Sequence, residues 1–311
     1  MIMKYLRAPW TSKQNICLYN GDWRTTRPIR RPRWPVLRRP ASHTSLFPRG
    51  PSMLTLQKTD PNGLIPTLRR WRRNMSLYKS GALLNPLFDL HTGGASRPVF
   101  HDIDREMPAL RRIDAAYDTI RGEFDQVLAA YERLPSYHSI DTDVIHSSGR
   151  LQRDRRWSVF MLTCFGRVPQ AARTLAPRTL ELVRDIPGVY QAMFSILEPG
   201  KSVRAHEGPS RMYLRYHLPL RVPTVRPPHI RVKDRIHQWK ERESVLFDDS
   251  WDHEVVNDSP ELRAILMIDV ARPMPAPLRM VAKGMATMAS LHYAPRIVRT
   301  MDALVPPPPG R

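Results

Sequence analysis

The spacing of hydrophobic positions changes near residue 189 of the 311-residue chain. Before that point, residues 102–134 carry apolar side chains at steps of three and four, which predicts an amphipathic helix, or two helices meeting near Gly122. A further helix is predicted over 177–184, where a proline stands in the first turn. Between the two, the run RRWSVFMLTCFG at 155–166 predicts a buried strand. The apolar stripe of the first region consists of Leu110, Ile113, Tyr117, Ile120, Phe124, Leu128 and Tyr131.

From residue 189 onward, short apolar or alternating runs follow one another with Pro, Gly or charged turns between them. Such closely spaced short strands are typical of a β-sandwich or barrel. The runs are VYQAMFSIL, RMYLRYHLPL, IRVKD, ESVLFDD, WDHEVVND and LRAILMIDV. After Pro273, the apolar stripe Leu278, Val281, Met285 and Met288 predicts a terminal helix docked on the protein. The alternative for this segment is a basic, methionine-rich helix lying on a membrane surface.

Strand alternation sorts the polar residues of this region onto faces. In WDHEVVN, a period of two places His253 with Trp251 and Val255, and turns the neighbouring acids to the other face. In LRAILMIDV, Arg263 shares a face with Ile265 and Met267. Burying a guanidinium is costly unless it meets a carboxylate, so this arginine is a candidate for ligand binding.

Two more candidate groups lie in the preceding strands. In YLRYHLPL, Arg215 and His217 share the face opposite Leu214 and Tyr216, and His206 lies in the turn-rich segment before them. Neutral imidazoles suit a divalent transition metal, and buried arginines suit a small dicarboxylic acid. A single histidine in a strand is usually structural, however, and a separation of 47 residues along the chain does not by itself define a metal site.

The positive charge is concentrated at the N-terminus. The chain has a formal charge of +20, and residues 1–80 contain 17 Lys and Arg against two Asp, a net of +15. Their mixture of Pro and Arg has no helical or strand period, so we expect a disordered leader. Three interpretations stay open: an organelle transit peptide, a polyanion-binding arm, or an upstream extension with the true start at Met53 or Met75.

Several function classes receive no support from the composition. Cys17 and Cys164 are too few for a disulfide framework or a thiolate metal site, which favours a reducing, cytoplasmic compartment. No apolar run reaches the ~18 residues that suggest a membrane span. No glycine-rich phosphate loop occurs, which argues against a nucleotide enzyme. No specific nucleic acid partner is expected.

Four blocks of sequence, in order, resemble the aspartyl/asparaginyl β-hydroxylase family of iron(II)- and 2-oxoglutarate-dependent dioxygenases. They are FSILEPG at 194–200, HEGPSRMYLRYHLPL at 206–220, FDDSWDHEVVND at 247–258 and LRAILMIDVARP at 262–273. The resemblance covers about residues 155–275 and implies a mainly β catalytic domain with flanking helices, a double-stranded β-helix or cupin-like jelly roll. The implied cofactors are Fe(II), 2-oxoglutarate and O₂.

The resemblance also implies roles for individual residues. His206 and His253 would bind iron, Arg263 with Ser195 would hold the distal carboxylate of 2-oxoglutarate, and Arg215 with His217 would lie near its metal-chelating end. The usual triad of two histidines and a carboxylate has its acid two residues after the first histidine. That position is Gly208 here, a gap that the family shares and fills with water.

Some positions depart from the family pattern or allow two interpretations. Arg242 and Pro219 stand where relatives often have glycine, and Val256 where many carry an aromatic residue; these changes bear on substrate choice more than on iron binding. Asp249 shares the nominal face of His253, so it either orients the imidazole or belongs to the turn that enters the strand.

The predicted organisation has four parts. They are a leader over 1–80, a helical part over 81–150, the jelly roll over 151–275, and a C-terminal helix with a proline-rich tail over 276–311. Within the family, the substrate is either an Asp or Asn side chain of a protein or a lipid acyl chain, and the basic leader and methionine-rich tail lean toward lipid and peripheral membrane contact. The rival hypothesis is a catalytically silent jelly-roll binding module with a polyanion-binding leader.

Overall fold

A computed structural model describes residues 77–131, 134–141 and 156–307. The predicted leader therefore lies outside the described residues, apart from the first turn of the helix that begins at Leu77. The helices are α1 Leu77–Thr92, α2 Ile103–Glu106, α3 Arg111–Ala115, α4 Tyr117–Ala130, α5 Tyr137–Ile140, α6 Gln170–Leu175, α7 Pro177–Arg184, α8 Ala276–His292 and α9 Ala294–Leu304, with single 3₁₀ turns at Gly94–Ser96 and Pro108–Leu110. The strands are β1 Phe100–His101, β2 Trp157–Cys164, β3 Val189–Leu197, β4 Val203–His206, β5 Tyr213–Arg221, β6 His229–Val232, β7 Arg235–Gln238, β8 Val245–Phe247, β9 His253–Val256 and β10 Arg263–Ala271.

The strands form two antiparallel sheets. The larger has the order β1-β8-β5-β10-β3-β2 and the smaller the order β4-β9-β6-β7. Between β3 and β10 the chain passes repeatedly from one sheet to the other, so each sheet collects strands that are distant in sequence. This winding is that of a double-stranded β-helix, which confirms the jelly roll expected from the sequence.

Helices cover the outer face of the larger sheet. The apolar stripe of α3 and α4 packs on β3 and β5, where Phe124 meets Phe194 edge to face at 5.2 Å between ring centroids and lies under the Arg221 guanidinium. The hydroxyl of Tyr117 donates to the carbonyl oxygen of Leu220. Because this face is covered, the opposite face of the sheet is left to line the interior between the two sheets.

The predicted break near Gly122 is wrong. The helical region breaks at Ala116 instead, and Gly122 lies inside α4, where the space that a Cβ would enter is empty. An interior glycine costs only about 1 kcal/mol. The burial of Ile120, Phe124 and Val127 along one stripe offsets that cost, so the helix continues through the glycine.

Three predicted elements are confirmed: the helix at Pro177–Arg184, the strand at Trp157–Cys164 and the terminal helix after Pro273. The tail forms α8 followed by α9 rather than one helix. In the described part of the chain, no helix is both long and apolar enough to cross a membrane.

A smaller apolar cluster joins the two ends of the described chain. Phe88 of α1 and Ala282 of α8 are buried together with Tyr190, Met212 and Tyr213. Tyr213 opens β5, just after the segment that follows His206. The cluster therefore places α1 and α8 at the end of the barrel that holds this segment.

Candidate active site

Strand pairing brings the two predicted histidines together. His206 ends β4, His253 begins β9, and the two residues are directly opposite each other in the antiparallel register. Their ring centroids are 4.2 Å apart. The separation of 47 residues along the chain thus becomes side-chain contact in the fold.

The backbone fixes the orientation of both imidazoles. Nδ1 of His206 lies 2.7 Å from the carbonyl oxygen of Arg204, and Nδ1 of His253 lies 2.8 Å from that of Trp251. A neutral imidazole that donates through Nδ1 presents the lone pair of Nε2. Burial, then the charge of Arg215, lowers the pKa of His206, and burial, then the neighbouring imidazole, lowers that of His253 further. Two neutral imidazoles held in this way are suited to binding a divalent metal through Nε2.

The Asp249 carboxylate occupies the space that a side chain at Gly208 would need. A Cβ placed on Gly208 would lie 2.5 Å from Oδ1 of Asp249. Asp249 Oδ2 accepts a hydrogen bond from the Tyr213 hydroxyl at 3.0 Å and forms an ion pair with Arg215 Nη1 at 2.9 Å, whereas Oδ1 is buried with no partner among the described residues. Burial raises the pKa of Asp249 to about 7. Asp249 lies in the turn that precedes β9, and the hydrogen bond found for the His253 ring in the described part of the chain is to the carbonyl oxygen of Trp251.

Arg215 is already neutralised by two acids. Besides Asp249, it binds Asp269 through Nε at 2.7 Å and Nη2 at 2.9 Å. Asp269 lies opposite Arg215 in the register of β5 and β10. Arg215 therefore holds part of the interior together and has little hydrogen-bonding capacity left for a ligand.

Arg263 is buried, and among the described residues it has no counterion. It is 2% exposed, and its Nε and Nη1 atoms have no hydrogen-bond partner among the described residues. Its guanidinium lies 4.6 Å from the ring centroid of Trp239, and burial lowers its pKa to about 9. Buried groups left in this state usually mark a place for a ligand or water.

His217 and Ser195 share the inner face with Arg263. Both ring nitrogens of His217 lack partners among the described residues, and burial holds its pKa well below the usual value. Ser195 Oγ accepts from Nε1 of Trp157 at 2.9 Å and lies on β3, opposite Ile265 and diagonal to Arg263. Ser195 thus keeps its own proton free to donate to a ligand.

A continuous row of rings connects the histidine pair to Arg263. His253 contacts Phe247 at 6.3 Å, Phe247 contacts His217 at 4.9 Å, and His217 contacts Trp239 at 5.9 Å between centroids. Trp239 in turn meets Arg263. One wall therefore carries two buried imidazoles at one end and, at the other, a guanidinium with no carboxylate partner among the described residues.

Three residues of this wall were not singled out by the sequence reasoning. Asp269 shares the alternation face of Arg263, so parity along β10 was a usable signal for it. The sequence pattern gave no signal for Tyr213 or for Trp239. Trp239 follows β7 and lies outside any predicted strand. In the described residues, no group of three or more His, Cys, Asp or Glu side chains is arranged to hold a metal.

The chain is similar to known hydroxylases. The family profile described as aspartyl/asparaginyl beta-hydroxylase matches residues 114–273. The chain is 36% identical over 196 residues to the ornithine lipid ester-linked acyl 2-hydroxylase of Rhizobium tropici, covering 63% of this chain and 68% of that protein. It is also 36% identical over 122 residues to the aspartyl/asparaginyl beta-hydroxylase of Homo sapiens, covering 38% of this chain and 16% of that protein.

Among solved structures, cupin domains are similar to parts of the chain. The Cnp3 cupin domain of Schizosaccharomyces pombe gives a TM-score of 0.25 at 11% identity and covers 32% of this chain and 61% of that one. A cupin domain of Bordetella pertussis gives 0.22 at 14% identity and covers 27% of this chain and 94% of that one.

Proposed function

Because the chain belongs to the aspartyl/asparaginyl β-hydroxylase family, and is thus a hydroxylase by descent, we propose that it is an iron(II)- and 2-oxoglutarate-dependent dioxygenase acting on a lipid acyl chain. The observation that carries the proposal is Arg263, a buried cation that has no carboxylate partner in the described part of the chain. It lies at the far end of the wall that begins with His206 and His253. A small dicarboxylic acid that chelates a metal would satisfy both ends of this wall at once.

The donor set fits such a metal and cosubstrate. His206 and His253 would hold iron(II) through Nε2, since both Nδ1 atoms are engaged by backbone carbonyl groups. Arg263 and Ser195 would bind the distal carboxylate, and His217 is the remaining unpartnered donor on the same wall. When bound, iron with 2-oxoglutarate and O₂ supplies the oxidant, placing one oxygen atom in the substrate C–H bond and the other in succinate, with release of CO₂.

The other residues of the wall prepare the site. Phe247 and Trp239 form dry, rigid sides that exclude water from a reactive centre. The Tyr213, Asp249 and Arg215 cluster fixes the carboxylate beside Gly208, where the unpartnered Oδ1 would hold a water or another donor. In the proposed site, the acidic third ligand of the common triad is therefore absent, and the Asp249 carboxylate acts on the metal only through the water or donor that it holds.

The lipid class is favoured by the extent of the similarity. The match to the ornithine lipid hydroxylase covers 63% of this chain, whereas the match to the human protein hydroxylase covers 38%. The second candidate substrate is an Asp or Asn side chain of a protein, which the 36% identity to the human enzyme supports.

The test is turnover with lipid and protein fractions. The purified chain is incubated with iron(II), 2-oxoglutarate and O₂, while succinate and products heavier by one oxygen atom are measured by mass spectrometry. We expect a hydroxylated lipid, loss of bound metal in His206→Ala and His253→Ala, and no loss in His229→Ala on the neighbouring strand β6.

If succinate forms together with a hydroxylated protein and not with a hydroxylated lipid, the substrate is the second candidate, an Asp or Asn side chain of a protein. Absence of coupled succinate in every fraction, together with unchanged metal content in His253→Ala, would refute the dioxygenase proposal and favour the binding module.

A further inference from the structure

Two helices that lie next to each other each leave an apolar stripe exposed. Their inner sides are satisfied, because Phe88 of α1 and Ala282 of α8 are buried in the same cluster, with Leu84, Leu278 and Val281 packed against it. The outer sides carry large apolar residues that are more than half exposed. We use the name outer helix face for Leu83, Leu90, Met280, Met288 and Leu291.

These five side chains are exposed to an extent unusual for their size. Leu83 and Leu90 are 77% and 82% exposed, Met280 is 74%, and Met288 and Leu291 are 55% and 56%. In the part of the chain that the structure describes, only three other large apolar residues are comparably exposed: Val225, Ile236 and Leu304. Single exposed apolar residues are normal, but their concentration on two adjacent helices indicates a contact surface.

The charge around this face has one sign. Residues 270–301 contain no Asp or Glu, and Arg279 and Lys283 stand exposed on α8 without a carboxylate partner among the described residues. On the described side chains of α1, the only acid is Asp89, which pairs with Arg211. An apolar stripe flanked by basic residues is the pattern of a helix that lies in an anionic membrane interface.

The charge also argues against two other occupants. Residues 1–80 of this chain have a net charge of +15, so they would meet repulsion at a basic surface. A second copy of the chain would bring the same arginine and lysine against themselves across a two-fold axis. An anionic lipid surface complements both the charge and the apolar stripe.

The outer helix face belongs to the end of the barrel that holds the candidate active site. Asn85 of α1 donates to the Pro209 carbonyl oxygen and accepts from the backbone N–H of Arg211. Gly81 approaches Pro209 so closely that a Cβ there would lie 2.7 Å from the same carbonyl oxygen. Pro209 is three residues from His206, so α1 is fixed to the segment that leaves the histidine pair.

We propose that the chain docks on anionic bilayers through the outer helix face, with Leu83, Leu90, Met280, Met288 and Leu291 entering the interface and Arg279 and Lys283 contacting lipid headgroups. The role of this docking rests on the proposed function: a docked enzyme could reach acyl chains without extracting the lipid fully from the membrane. Docking itself is measured without turnover.

The experiment is sedimentation of the full-length chain with vesicles of phosphatidylcholine, with or without phosphatidylglycerol. We expect the wild type to bind the anionic vesicles. The pairs L83E/L90E and M280E/L291E should each lower the partition coefficient about tenfold, because each replaces two interfacial side chains with charges. Arg279→Gln with Lys283→Gln should reduce the preference for phosphatidylglycerol.

The matched control is V225E/I236E, which makes the same charge change at exposed apolar positions away from α1 and α8. It should alter binding less than about twofold, and every variant keeps residues 1–76, so any binding by the leader is common to all. Equal binding by the wild type and both helix pairs would overturn the proposal. So would a wild-type dimer that M280E/L291E converts to monomer without changing vesicle binding.

A second measurement separates docking from catalysis. The helix pairs should hydroxylate lipid dispersed in detergent at the wild-type rate but lose turnover on vesicles. If the wild type binds vesicles through this face but hydroxylates no lipid, docking stands and the proposed substrate fails. If turnover on vesicles survives both helix pairs, docking fails and the dioxygenase remains.

Discussion

Arg263 is the residue at which binding and stability are most directly opposed. Its guanidinium is buried and meets no carboxylate within residues 77–131, 134–141 and 156–307, a state that costs free energy until an anion binds. We therefore expect Arg263→Met to raise the free energy of unfolding of the ligand-free protein, on the order of 1–4 kcal/mol. The same variant should raise the KM for 2-oxoglutarate about tenfold or more, since hydrogen bonds to a charged group are lost.

Urea unfolding of the ligand-free protein measures the first effect, and the rate of succinate formation at increasing 2-oxoglutarate concentration measures the second. The control is Arg235→Met, an exposed arginine on β7, which should change neither quantity. A destabilised Arg263→Met protein would mean that the guanidinium is satisfied within the fold, and the assignment of the distal carboxylate to it would then be wrong.

Gly208 and Asp249 compete for one volume beside the histidine pair. Gly208→Ala should lower the free energy of unfolding by about 1–3 kcal/mol, because the new Cβ would overlap the Asp249 carboxylate. Asp249→Ala should remove most of that penalty in the double variant, giving a coupling of about 1 kcal/mol or more in a double-mutant cycle.

Gly284→Ala is the matched control for this cycle, because nothing lies within 4 Å of its missing Cβ. Inside α8, that change should be neutral or stabilising by up to ~1 kcal/mol. If Gly208→Ala proves as harmless as Gly284→Ala, the carboxylate does not occupy the place of the absent side chain.

At the same scale, the sequence anticipated which side chains enter the interior but not which of them pair. Alternation correctly placed His253 on the buried face of β9, whose burial alternates residue by residue. It could not show that Arg215 forms ion pairs with Asp249 and Asp269, whereas Arg263 has no ion pair among the described residues. Pairing depends on which strands become neighbours, and that is set by contacts distant in sequence.

At the scale of elements, one acidic side chain joins two helices. Glu123 of α4 accepts from the backbone N–H groups of Arg178 and Thr179 at 2.9 and 2.7 Å, and from the Thr179 hydroxyl at 2.6 Å. These donors belong to the first turn of α7, whose N-cap residue, Ala176, provides no side-chain hydrogen bond. We expect Glu123→Ala to cost about 1–3 kcal/mol in urea unfolding, because buried donors lose their acceptor.

Glu181→Ala provides the comparison on the surface of α7. Its carboxylate pairs with Arg178 at an exposed position, so its removal should cost less than ~1 kcal/mol. Equal effects of the two substitutions would show that Glu123 does not cap the helix.

The elements themselves were partly predictable. Period and proline placement located α7 and the β2 strand, because local sequence decides them. The break at Ala116 instead of Gly122 was missed, because tertiary burial of one continuous stripe outweighed the local preference of glycine. α1 was not identified, since its identity as a packed helix depends on contacts with α8 and the 207–212 segment.

At the scale of the whole molecule, the jelly roll was expected from a resemblance rather than from pattern. Short alternating strands predicted only a sandwich or barrel, because alternation fixes faces and leaves strand order open. The order β8-β5-β10-β3 in the larger sheet and β4-β9-β6-β7 in the smaller one is what assembles the wall from Ser195, His217, Trp239 and Arg263. The candidate site thus depends on strand order more than on any contiguous sequence motif.

The basic leader and the catalytic part should be separable. Deleting residues 1–76 removes 16 of the 17 Lys and Arg of the first 80 residues and leaves α1 and its contacts with Pro209 and Arg211 intact. Because the candidate site residues lie between 195 and 263, we expect succinate formation to stay within about twofold of wild type on detergent-dispersed substrate. Elution from an anionic heparin column should move to much lower salt, since electrostatic binding to polyanions falls with the number of charges. An unchanged elution position would exclude a polyanion-binding arm, and lost turnover would show that the leader takes part in the catalytic module.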